Sequence, residues 1–405
     1  MDRSELAQTS GTPGAIARAV AEHSDAVVEL ARAIHRLPEL AFTEHRAARA
    51  LTELLARAGF AVEPGAGDLP TAFTATVGEG PVTVAICAEY DALPTIGHGC
   101  GHNLIAGAAV AAALGLQPVA AALGIQVTVV GTPAEEHGGG KVVLLERGVF
   151  DDVDLALMVH PLPRDHGFNP RGTTSQAVGR YRATYSGRGA HAAAAPQRGV
   201  NAADAAVVAQ VAIGLLRQQL PGDHRVSAVV AHGGDATNII PEAAIVDFEC
   251  RAFTMPEFDR LYERVRRCFE AGALATGATL RIEPTEPVYE PLEHDEVLCR
   301  HWEAALATLG YDTAPGGAPH GGSTDMGNIS RVVPAIHPWF SIPTTDAPIH
   351  TAEFAAAADR EESYAAMLDA GTAMALTVAS VVSSPEDVAA LRAARTARSH
   401  AAGAM

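Results

Sequence analysis

Cysteine, histidine and carboxylate side chains cluster in one part of the sequence. Cys100 and His102 are separated by a single glycine, and Glu135 and Glu136 are adjacent. Zn²⁺ binds thiolate, imidazole and carboxylate ligands, and Mn²⁺ accepts the latter two. Adjacent carboxylates point in different directions, so that one can bind a metal while the other acts as a base. The pattern therefore predicts metal-assisted chemistry in which water is activated.

Each of these residues also has a simpler structural interpretation. Cys100 is compatible with a small buried thiol, His102 with a helix cap, and the glutamate pair with a solvated acidic turn. A nucleophilic cysteine–histidine pair is disfavoured, because one intervening residue places the two side chains poorly for attack. His160 and His350, each beside apolar residues, are individually compatible with core histidines. Their value as candidate ligands lies in their occurrence together.

Several other residues and one glycine-rich segment are given no functional role. The segment Gly138–Lys141 resembles a phosphate loop, but its leading glycine is missing and Val142 follows the lysine, so it predicts a turn leading into a helix. The remaining residues are expected to be core thiols (Cys250, Cys268, Cys299), surface histidines without a special role (His294, His301) and ordinary strand residues (Tyr181, Tyr185).

Short apolar runs alternate with helical stretches through the first half of the chain. Val82–Ala88, Ile125–Val130 and Leu155–Val159 have the length and composition of buried strands, and the alanine-rich stretch Ile105–Leu116 lies between the first two. Strands alternating with helices favour an α/β fold, with a mostly parallel sheet flanked by helices. Further helices are expected between residues 15 and 60, divided by Pro38, and in the tail after residue 384.

The candidate ligands follow the ends of the predicted strands. Glu89 and Asp91 come directly after the first strand, the glutamate pair after the second, and His160 after the third. In open α/β sheets, ligands bind beyond the carboxyl ends of the strands. The convergence of these residues on one sheet edge is stronger evidence for a site than any one of them.

The pattern changes near residue 179. Strands and helices then follow in the order β-α-β-β-α-β, which is the ferredoxin-like plan. After this segment an α/β pattern resumes, with a strand at Val332–Ile336 and a long helix after Thr351. We therefore expect a catalytic domain at 1–177 together with 290–405, interrupted by a smaller α+β domain at 178–289. The segments of the smaller domain are a strand over 181–185, a helix over 201–220, strands over 226–231 and 244–253, a helix over 256–275 and a strand over 280–283.

Charge and cysteine content limit the partners and the compartment. The 405 residues carry a formal net charge of −18, which argues against nucleic acid or an anionic membrane as the main partner. The five cysteines are odd in number and form no disulfide framework, so reduced thiols in a cytoplasmic protein are expected. The first residues show no apolar segment of the kind that a signal peptide needs.

Several short motifs together resemble one protein family. The chain is similar to the aminoacylase-type dinuclear metallopeptidases and amidohydrolases. Within them it resembles most the aminobenzoyl-glutamate hydrolase-like branch, and also the auxin-conjugate and hippurate hydrolases. The motifs that carry this resemblance are HRLPEL, AEYDALPTIGHGCGHN, GTPAEEHGGGK, MVHP, GRGAHAAAAP, DATNIIPEAA, GGSTDMGNIS and HTAEF.

The resemblance implies a centre with two divalent metal ions, zinc or manganese. It also implies that Glu135 is the general base toward a metal-activated water, and that Asp91 orients an imidazole ligand. The metal ligands that it implies, with the Cys100 sulfur able to bridge both ions, are Cys100, His102, Glu136, His160 and His350.

The resemblance further implies that residues of the inserted domain act on substrate. His191 matches a histidine that reaches the active site of a partner subunit, which would make the protein a homodimer and the inserted domain a dimerisation or lid domain. Asn238 and Arg251 match positions that hold the amide or carboxylate of the substrate. Asp325 is a weaker candidate near the pocket.

The expected reaction is hydrolysis of the amide bond in small N-acyl amino acids, aminobenzoyl-glutamate-like conjugates or dipeptides. Two alternatives stay open: hydrolytic deamination of a small aromatic amine at the same site, and a non-catalytic partner subunit. The sequence also departs from the family. Arg36-Leu37 stands where a second histidine is frequent, and His137 follows the glutamate pair where glycine or serine is more usual. These departures bear on the substrate more than on the reaction type.

Overall fold

The structure is a computed structural model in which residues 1–164, 169–314 and 322–402 are described. By its internal contacts the chain forms two units: one comprises Met1–Thr174 and most of the chain after Leu292, and the other is built mainly from Ser175–Pro291. We call them the first unit and the second unit. All the metal-ligand candidates belong to the first unit, whereas His191, Asn238 and Arg251 belong to the second.

Strands occur in both units. In chain order they are β1 (Ala61–Pro64), β2 (Phe73–Val77), β3 (Val82–Ala88), β4 (Ile125–Gly131), β5 (Leu155–Leu157), β6 (His160–Leu162), β7 (Ala177–Ser186), β8 (Arg225–His232), β9 (Ala243–Ala252), β10 (Thr279–Pro284), β11 (Ala335–Ile336) and β12 (Trp339–Ser341).

Helices cover much of the remaining chain. In chain order they are α1 (Arg3–Leu6), α2 (Gly11–His35), α3 (His45–Arg57), α4 (His102–Leu116), α5 (Ala120–Leu123), α6 (Gly140–Glu146), α7 (Ala202–Arg217), α8 (Met255–Thr276), α9 (Glu296–Thr308), α10 (Met326–Ser330), α11 (Ala352–Ala357), α12 (Glu361–Val382) and α13 (Pro385–Ala402).

A mixed sheet forms the centre of the first unit. Its strand order is β1-β2-β4-β3-β5-β11. β4, β3, β5 and β11 are mutually parallel, as the sequence predicts, and β1 and β2 add an antiparallel edge that was not predicted. The α/β class and the parallel core are therefore confirmed. β1 and β2 were missed because they are short and only half apolar.

Helices α2, α4 and α12 supply most of the apolar core beside the sheet. Every residue of α4 is buried, because alanine and glycine allow close packing against α2 and α12. The stretches His102–Leu123 and Glu361–Val382 are apolar enough to cross a membrane by length and composition, but 83% and 78% of their apolar windows are buried within the protein. That burial is typical of core helices.

Three boundaries in the first unit differ from the sequence predictions. The strand predicted at Val332–Ile336 is only Ala335–Ile336, because the amides of Val332 and Val333 bond to Ile329 at the end of α10. The predicted strand Leu155–Val159 ends at Leu157, and a separate strand, β6, begins at His160 and pairs with β12. The long helix predicted after Thr351 is divided into α11 and α12.

The second unit has the β-α-β-β-α-β order that the sequence predicts. Its four-stranded antiparallel sheet has the order β10-β7-β9-β8, with α7 and α8 packed on it. Asn201 caps α7, its side chain accepting hydrogen bonds from the amides of Ala203 and Asp204. Tyr181 and Tyr185 are buried in this unit's core, as ordinary strand residues. Cys250 is buried as predicted, whereas Cys268 is only partly buried.

Candidate active site

The candidate site lies beyond the carboxyl ends of the parallel strands β4, β3 and β5. The peptide after β3 carries Glu89 and Asp91, and the loop after β4 carries Glu135 and Glu136. The amide of Thr132 donates to the carbonyl of Ala88 (2.8 Å), which joins the two strand ends. The parallel pairing thus brings together segments that lie far apart in the chain, as the sequence predicts.

A sharp turn places Cys100 and His102 on the same centre. Gly101, between them, has φ +77°, and its missing side chain leaves room for Pro161, whose Cγ would lie 2.6 Å from a Cβ there. The Sγ atom of Cys100 lies 3.3 Å from Nε2 of His160. Cys100 and His160 therefore approach each other at the spacing of two ligands on one ion.

Asp91 fixes the orientation of His102. Its Oδ1 lies 2.9 Å from Nδ1 of His102, so that Nε2 of the imidazole is left to face the centre. Its Oδ2 accepts from the amide of Glu136 at 3.0 Å. Burial raises the pKa of Asp91, but the charge of His102 and its hydrogen bond outweigh burial and lower it. Asp91 therefore acts on both a histidine and the glutamate loop.

His350 joins the site from the segment before α11. Its Nε2 lies 3.4 Å from Oε1 of Glu136, and its backbone amide donates to the carbonyl of Gly99 at 2.7 Å. His350 has φ +66°, an uncommon conformation for a residue with a side chain. Burial raises the pKa of Glu136, but the neighbouring imidazole of His350 and the charge of His102 lower it below its ordinary value.

Two donor groups share the Cys100 sulfur. In each group the ligand atoms lie within 4.8 Å of one another, the first comprising Cys100, His102 and His160 and the second Cys100, Glu136 and His350. These groups contain all five ligands that the resemblance implies. The arrangement suits two ions bridged by one thiolate, although the role of each residue stays a prediction.

The chemistry of these donors fits divalent cations. Nε2 of His102 and Oε1 of Glu136 are buried and have no hydrogen-bond partner among the described residues. Buried polar atoms are normally paired, so ligand atoms without partners that lie close together form a site that suits a cation. Burial, followed by the charge of Glu136, raises the pKa of the Cys100 thiol well above its usual range. A bound cation is what holds such a buried thiol as thiolate.

Glu135, the predicted base, is buried beside the donor groups. It is 7% exposed, and its Oε2 lies 3.9 Å from Nε2 of His102. Burial raises the pKa of Glu135 well above its ordinary value, and the charges of Glu89 and Glu136 raise it further. A carboxylate with a raised pKa accepts a proton more readily near neutral pH.

A buried lysine is the main feature that sequence reasoning missed. Gly138–Lys141 forms a turn that leads into helix α6, as predicted. In addition, Nζ of Lys141 lies 2.5 Å from Oε1 of Glu89 and 2.6 Å from Oδ1 of Asp325. Asp325 thus lies in the site through Lys141. Gly321 of the motif that contains it is outside the described residues. Because Gly138–Lys141 resembles an incomplete phosphate loop, the sequence indicated only a turn there and did not predict the contacts of Lys141.

A second missed feature is a histidine pair behind His160. His337 is buried, its ring centroid is 5.9 Å from that of His160, and neither of its ring nitrogens has a hydrogen-bond partner among the described residues. Its amide lies 3.3 Å from Nδ1 of His294. His294, predicted at the surface, is only half-buried: its Nε2 lies 3.3 Å from Oγ1 of Thr173, and desolvation lowers its pKa to about 4. His301 contacts Ser380 and Asp387, away from the ligands.

The predicted residues of the second unit have their own local partners. His191 is exposed, and its Nδ1 accepts from the amides of Ala193 and Ala194 at 3.2 and 3.1 Å. Because Nδ1 is used as an acceptor, Nε2 is the ring nitrogen that can donate. Asn238 is exposed, and the Arg251 guanidinium pairs with Glu249 and Ser323. The substrate roles of these residues stay predictions.

The two departures from the family pattern lie outside the donor groups. Arg36 follows the end of α2, is exposed and contacts Glu29 at 3.6 Å. His137 is exposed beside Glu136. Neither residue belongs to a group that could hold a metal ion among the described residues.

Comparison with known proteins defines the class. Residues 85–376 match peptidase family M20/M25/M40. The chain is 40% identical to the mouse Xaa-Arg dipeptidase, over 91% of this chain and 89% of that one. It is 36% identical to one subunit of the p-aminobenzoyl-glutamate hydrolase of Escherichia coli strain K12, over 60% of this chain and 54% of that one.

Solved structures share the fold. A putative aminohydrolase from methicillin-resistant Staphylococcus aureus superposes with a TM-score of 0.75 at 20% identity, over 90% of this chain and 98% of that one. The YxeP protein of Bacillus subtilis, described as a dinuclear metal-binding peptidase, gives 0.68 at 22% identity, over 88% and 98%. The chain belongs to peptidase family M20/M25/M40, and it is a metal-dependent hydrolase that acts on amide bonds.

Proposed function

We propose that this chain hydrolyses the amide bond of dipeptides and related N-acyl amino acids, with two divalent ions and Glu135 as the general base. The observation that carries the proposal is the Cys100 sulfur shared by two donor groups, beside a buried glutamate that is not needed in either. That combination supplies both parts of metal-assisted hydrolysis, a site for cations and a base for water.

The residues of the chain divide the chemistry between them. Bound cations activate water and polarise a carbonyl when they occupy such groups. Glu135 takes the proton of the attacking water and returns it to the departing amine, which its raised pKa favours. Asp91 keeps Nε2 of His102 directed at the centre through the hydrogen bond to Nδ1. The C–N bond breaks as the water oxygen bonds to the carbonyl carbon, so the products are a carboxylic acid and an amine that carries the transferred proton.

The relatives narrow the substrate class. The mouse and human proteins, 40% and 36% identical over 91% of this chain, are both Xaa-Arg dipeptidases. The bacterial relative named for p-aminobenzoyl-glutamate matches over only 60% of this chain. We therefore place dipeptides with a basic carboxyl-terminal residue first among the substrates, and aminobenzoyl-glutamate and other N-acyl amino acids second.

Zinc or manganese is the proposed metal. The group of Cys100, His102 and His160 offers a thiolate and two imidazoles, a set that suits zinc. The group of Cys100, Glu136 and His350 adds a carboxylate, which manganese also accepts.

The five free cysteines support a reducing, cytoplasmic compartment.

A homodimer is the proposed assembly. The second unit exposes Val207, Val211 and Leu215 along one face of α7, and Val229 and Val230 on the edge strand β8. An apolar helix face beside an unpaired strand edge is a surface that a second copy covers well. Because the Escherichia coli relative is named as one subunit of its hydrolase, a related chain is the competing partner. The mass of each chain in the purified assembly distinguishes a homodimer, which contains one kind of chain, from a pairing with a related chain, which contains two.

The test is a comparison of Glu135→Gln with the wild-type chain. Both are stripped of metal, reloaded with zinc or manganese, and given Xaa-Arg dipeptides, p-aminobenzoyl-glutamate, N-acetyl amino acids and an arylamine. We expect metal-dependent cleavage by the wild type and a loss of about 10²- to 10⁴-fold in the variant with metal content unchanged. Glu362→Gln, at an exposed glutamate of α12, is the matched control.

Three outcomes would contradict the proposal. Release of ammonia from the arylamine without amide cleavage would show hydrolytic deamination. Binding of two ions with no turnover of any substrate would favour the non-catalytic partner. Full activity of Glu135→Gln would remove that residue as the base.

A further inference from the structure

Glu89 has one carboxylate oxygen that the fold does not use. The residue directly follows β3 and is fully buried. Its Oε1 accepts a hydrogen bond from Nζ of Lys141. Its Oε2 is buried, has no hydrogen-bond partner among the described residues and lies 3.5 Å from Nε2 of His102. A buried carboxylate oxygen without a hydrogen bond is costly, and the neighbour that this oxygen faces is an imidazole nitrogen that can itself bind a cation.

Lys141 cannot neutralise these surroundings by itself. Its Nζ contacts Oδ1 of Asp325 at 2.6 Å as well as Glu89, and its amide donates to Oδ2 of Asp325 at 2.9 Å. Two carboxylates and one ammonium thus share one fully buried cluster, and the imidazole of His102 faces Glu89 from its other side at 3.5 Å. Asp325 has both oxygens occupied by Lys141, so the oxygen that remains available belongs to Glu89.

The geometry around that oxygen is that of metal ligands. Asp91 occupies Nδ1 of His102, so Nε2 is the atom available to a cation. Two ligand atoms each about 2.1 Å from one tetrahedral ion lie roughly 3.4 Å apart. The 3.5 Å between Oε2 of Glu89 and Nε2 of His102 matches this spacing. Glu89, His102 and Glu135 also form a third donor group within 4.8 Å.

We propose that Glu89 is a further metal ligand, contributing Oε2 to the ion that His102 binds, and that Lys141 is a positioning residue that aims this oxygen. The proposal rests on the metal-dependent function proposed above. It adds a carboxylate to a set of a thiolate and two imidazoles, and it gives the Glu89–Lys141–Asp325 cluster a role in holding the metal.

The experiment measures metal binding without activity. Apo protein is titrated with Co²⁺ against a competing chelator, following both the affinity of each ion and the ligand-field absorption. We expect Glu89→Gln to weaken one of the two ions by roughly tenfold or more and to change its absorption. Glu79→Gln, at an exposed glutamate just before β3, is the matched control and should keep both ions within about twofold.

Glu89→Asp covers the possibility that the glutamine variant does not fold. It keeps the charge beside Lys141 but withdraws the oxygen from His102, so it should also weaken one ion. Circular dichroism of each apo protein separates a folding defect from a binding defect. Two ions bound with wild-type affinity and absorption by folded Glu89→Gln, or by Glu89→Asp alone, would overturn the proposal. A wild-type chain that binds no Co²⁺ would instead overturn the metal-dependent function itself.

Discussion

At the residue scale, Cys100 is the side chain on which both donor groups depend. It belongs to the group with His102 and His160 and to the group with Glu136 and His350. A thiolate that bridges two ions neutralises charge between them, so its loss affects both sites at once. Removal of any other ligand leaves one group complete.

Cys100→Ala is therefore expected to lower the metal content from two ions to fewer than one per chain, with activity falling in parallel. The measurement is elemental analysis after dialysis against metal-free buffer. Cys268→Ala, at a partly buried cysteine of α8, should keep both ions. Retention of two ions by Cys100→Ala would exclude the bridging role.

Glu44 is a second residue with a distinct electrostatic state. Its Oε1 accepts from the amides of Phe42 and Ala134, both at 2.9 Å, and both of these residues have positive φ, 61° and 62°. Burial, followed by the charge of Asp91, raises its pKa from 4.5 to about 7. The folded chain then binds a proton that the unfolded chain releases between these pH values, so stability falls as pH rises from about 4.5 to 7.

Glu44→Gln should remove that pH dependence, because the amide keeps an accepting oxygen and carries no charge. The expected difference between wild type and variant is about 3 kcal/mol across this range, as an upper bound. Thermal unfolding of the apo proteins at pH 5 and pH 7.5 measures it. Glu53→Gln, at an exposed position of α3, should leave the wild-type slope intact. Equal slopes in the wild type and Glu44→Gln would refute the assignment.

At the element scale, the turn between β3 and α4 determines whether the site forms. α4 begins at His102, directly after Gly101 with φ +77°. A Cβ at Gly101 would lie 2.6 Å from Cγ of Pro161 and 3.3 Å from Cε1 of Phe354. Pro161 follows His160, so any shift that relieves the clash moves a third ligand away from the centre.

Gly101→Ala is expected to lose about 1–3 kcal/mol of stability and to bind metal more weakly. Gly214→Ala is the control, because Gly214 lies inside α7 with nothing within 4 Å of an added Cβ, and alanine there should gain about 0.5–1 kcal/mol. Thermal unfolding and chelator competition measure both quantities. Wild-type metal affinity in Gly101→Ala would show that the turn tolerates a side chain.

At the scale of the whole molecule, the residues expected to act on one substrate are divided between the two units. The ligands lie in the first unit and His191 in the second. The amides of Ala193 and Ala194 fix Nδ1 of His191 as an acceptor, so that its Nε2 can donate to a substrate carbonyl. The family resemblance implies that this donor acts in the active site of a second copy of the chain.

Mixing Glu135→Gln chains with His191→Ala chains tests that arrangement. If His191 acts across a homodimer, every mixed dimer has one intact site, and equal amounts of the two inactive variants should recover about a quarter of wild-type activity after exchange of chains. If His191 acts within its own chain, the mixture stays inactive. Activity is measured after dissociation and reassociation, with each variant alone as the control.

The sequence by itself determined the parts that depend on local pattern. The apolar runs and the alanine-rich stretch specified β3, β4, β5 and α4, because burial follows hydrophobic periodicity. The motif residues then placed the candidate ligands at strand ends. The β-α-β-β-α-β order of the second unit was also predictable, because the hydrophobic residues of its strands and helices recur with different periods along the chain.

Only the tertiary structure decided which charged side chains meet. Lys141 and Asp325 are 184 positions apart, and Glu44 and Ala134 are 90 apart. Hydrophobic periodicity along the chain does not predict such contacts, because they depend on how strand ends and loops from distant parts of the chain pack together. For the same reason Lys141, in a segment that resembles a phosphate loop, is a buried partner of Glu89. His294, expected at the surface, is half-buried and accepts from the amide of His337.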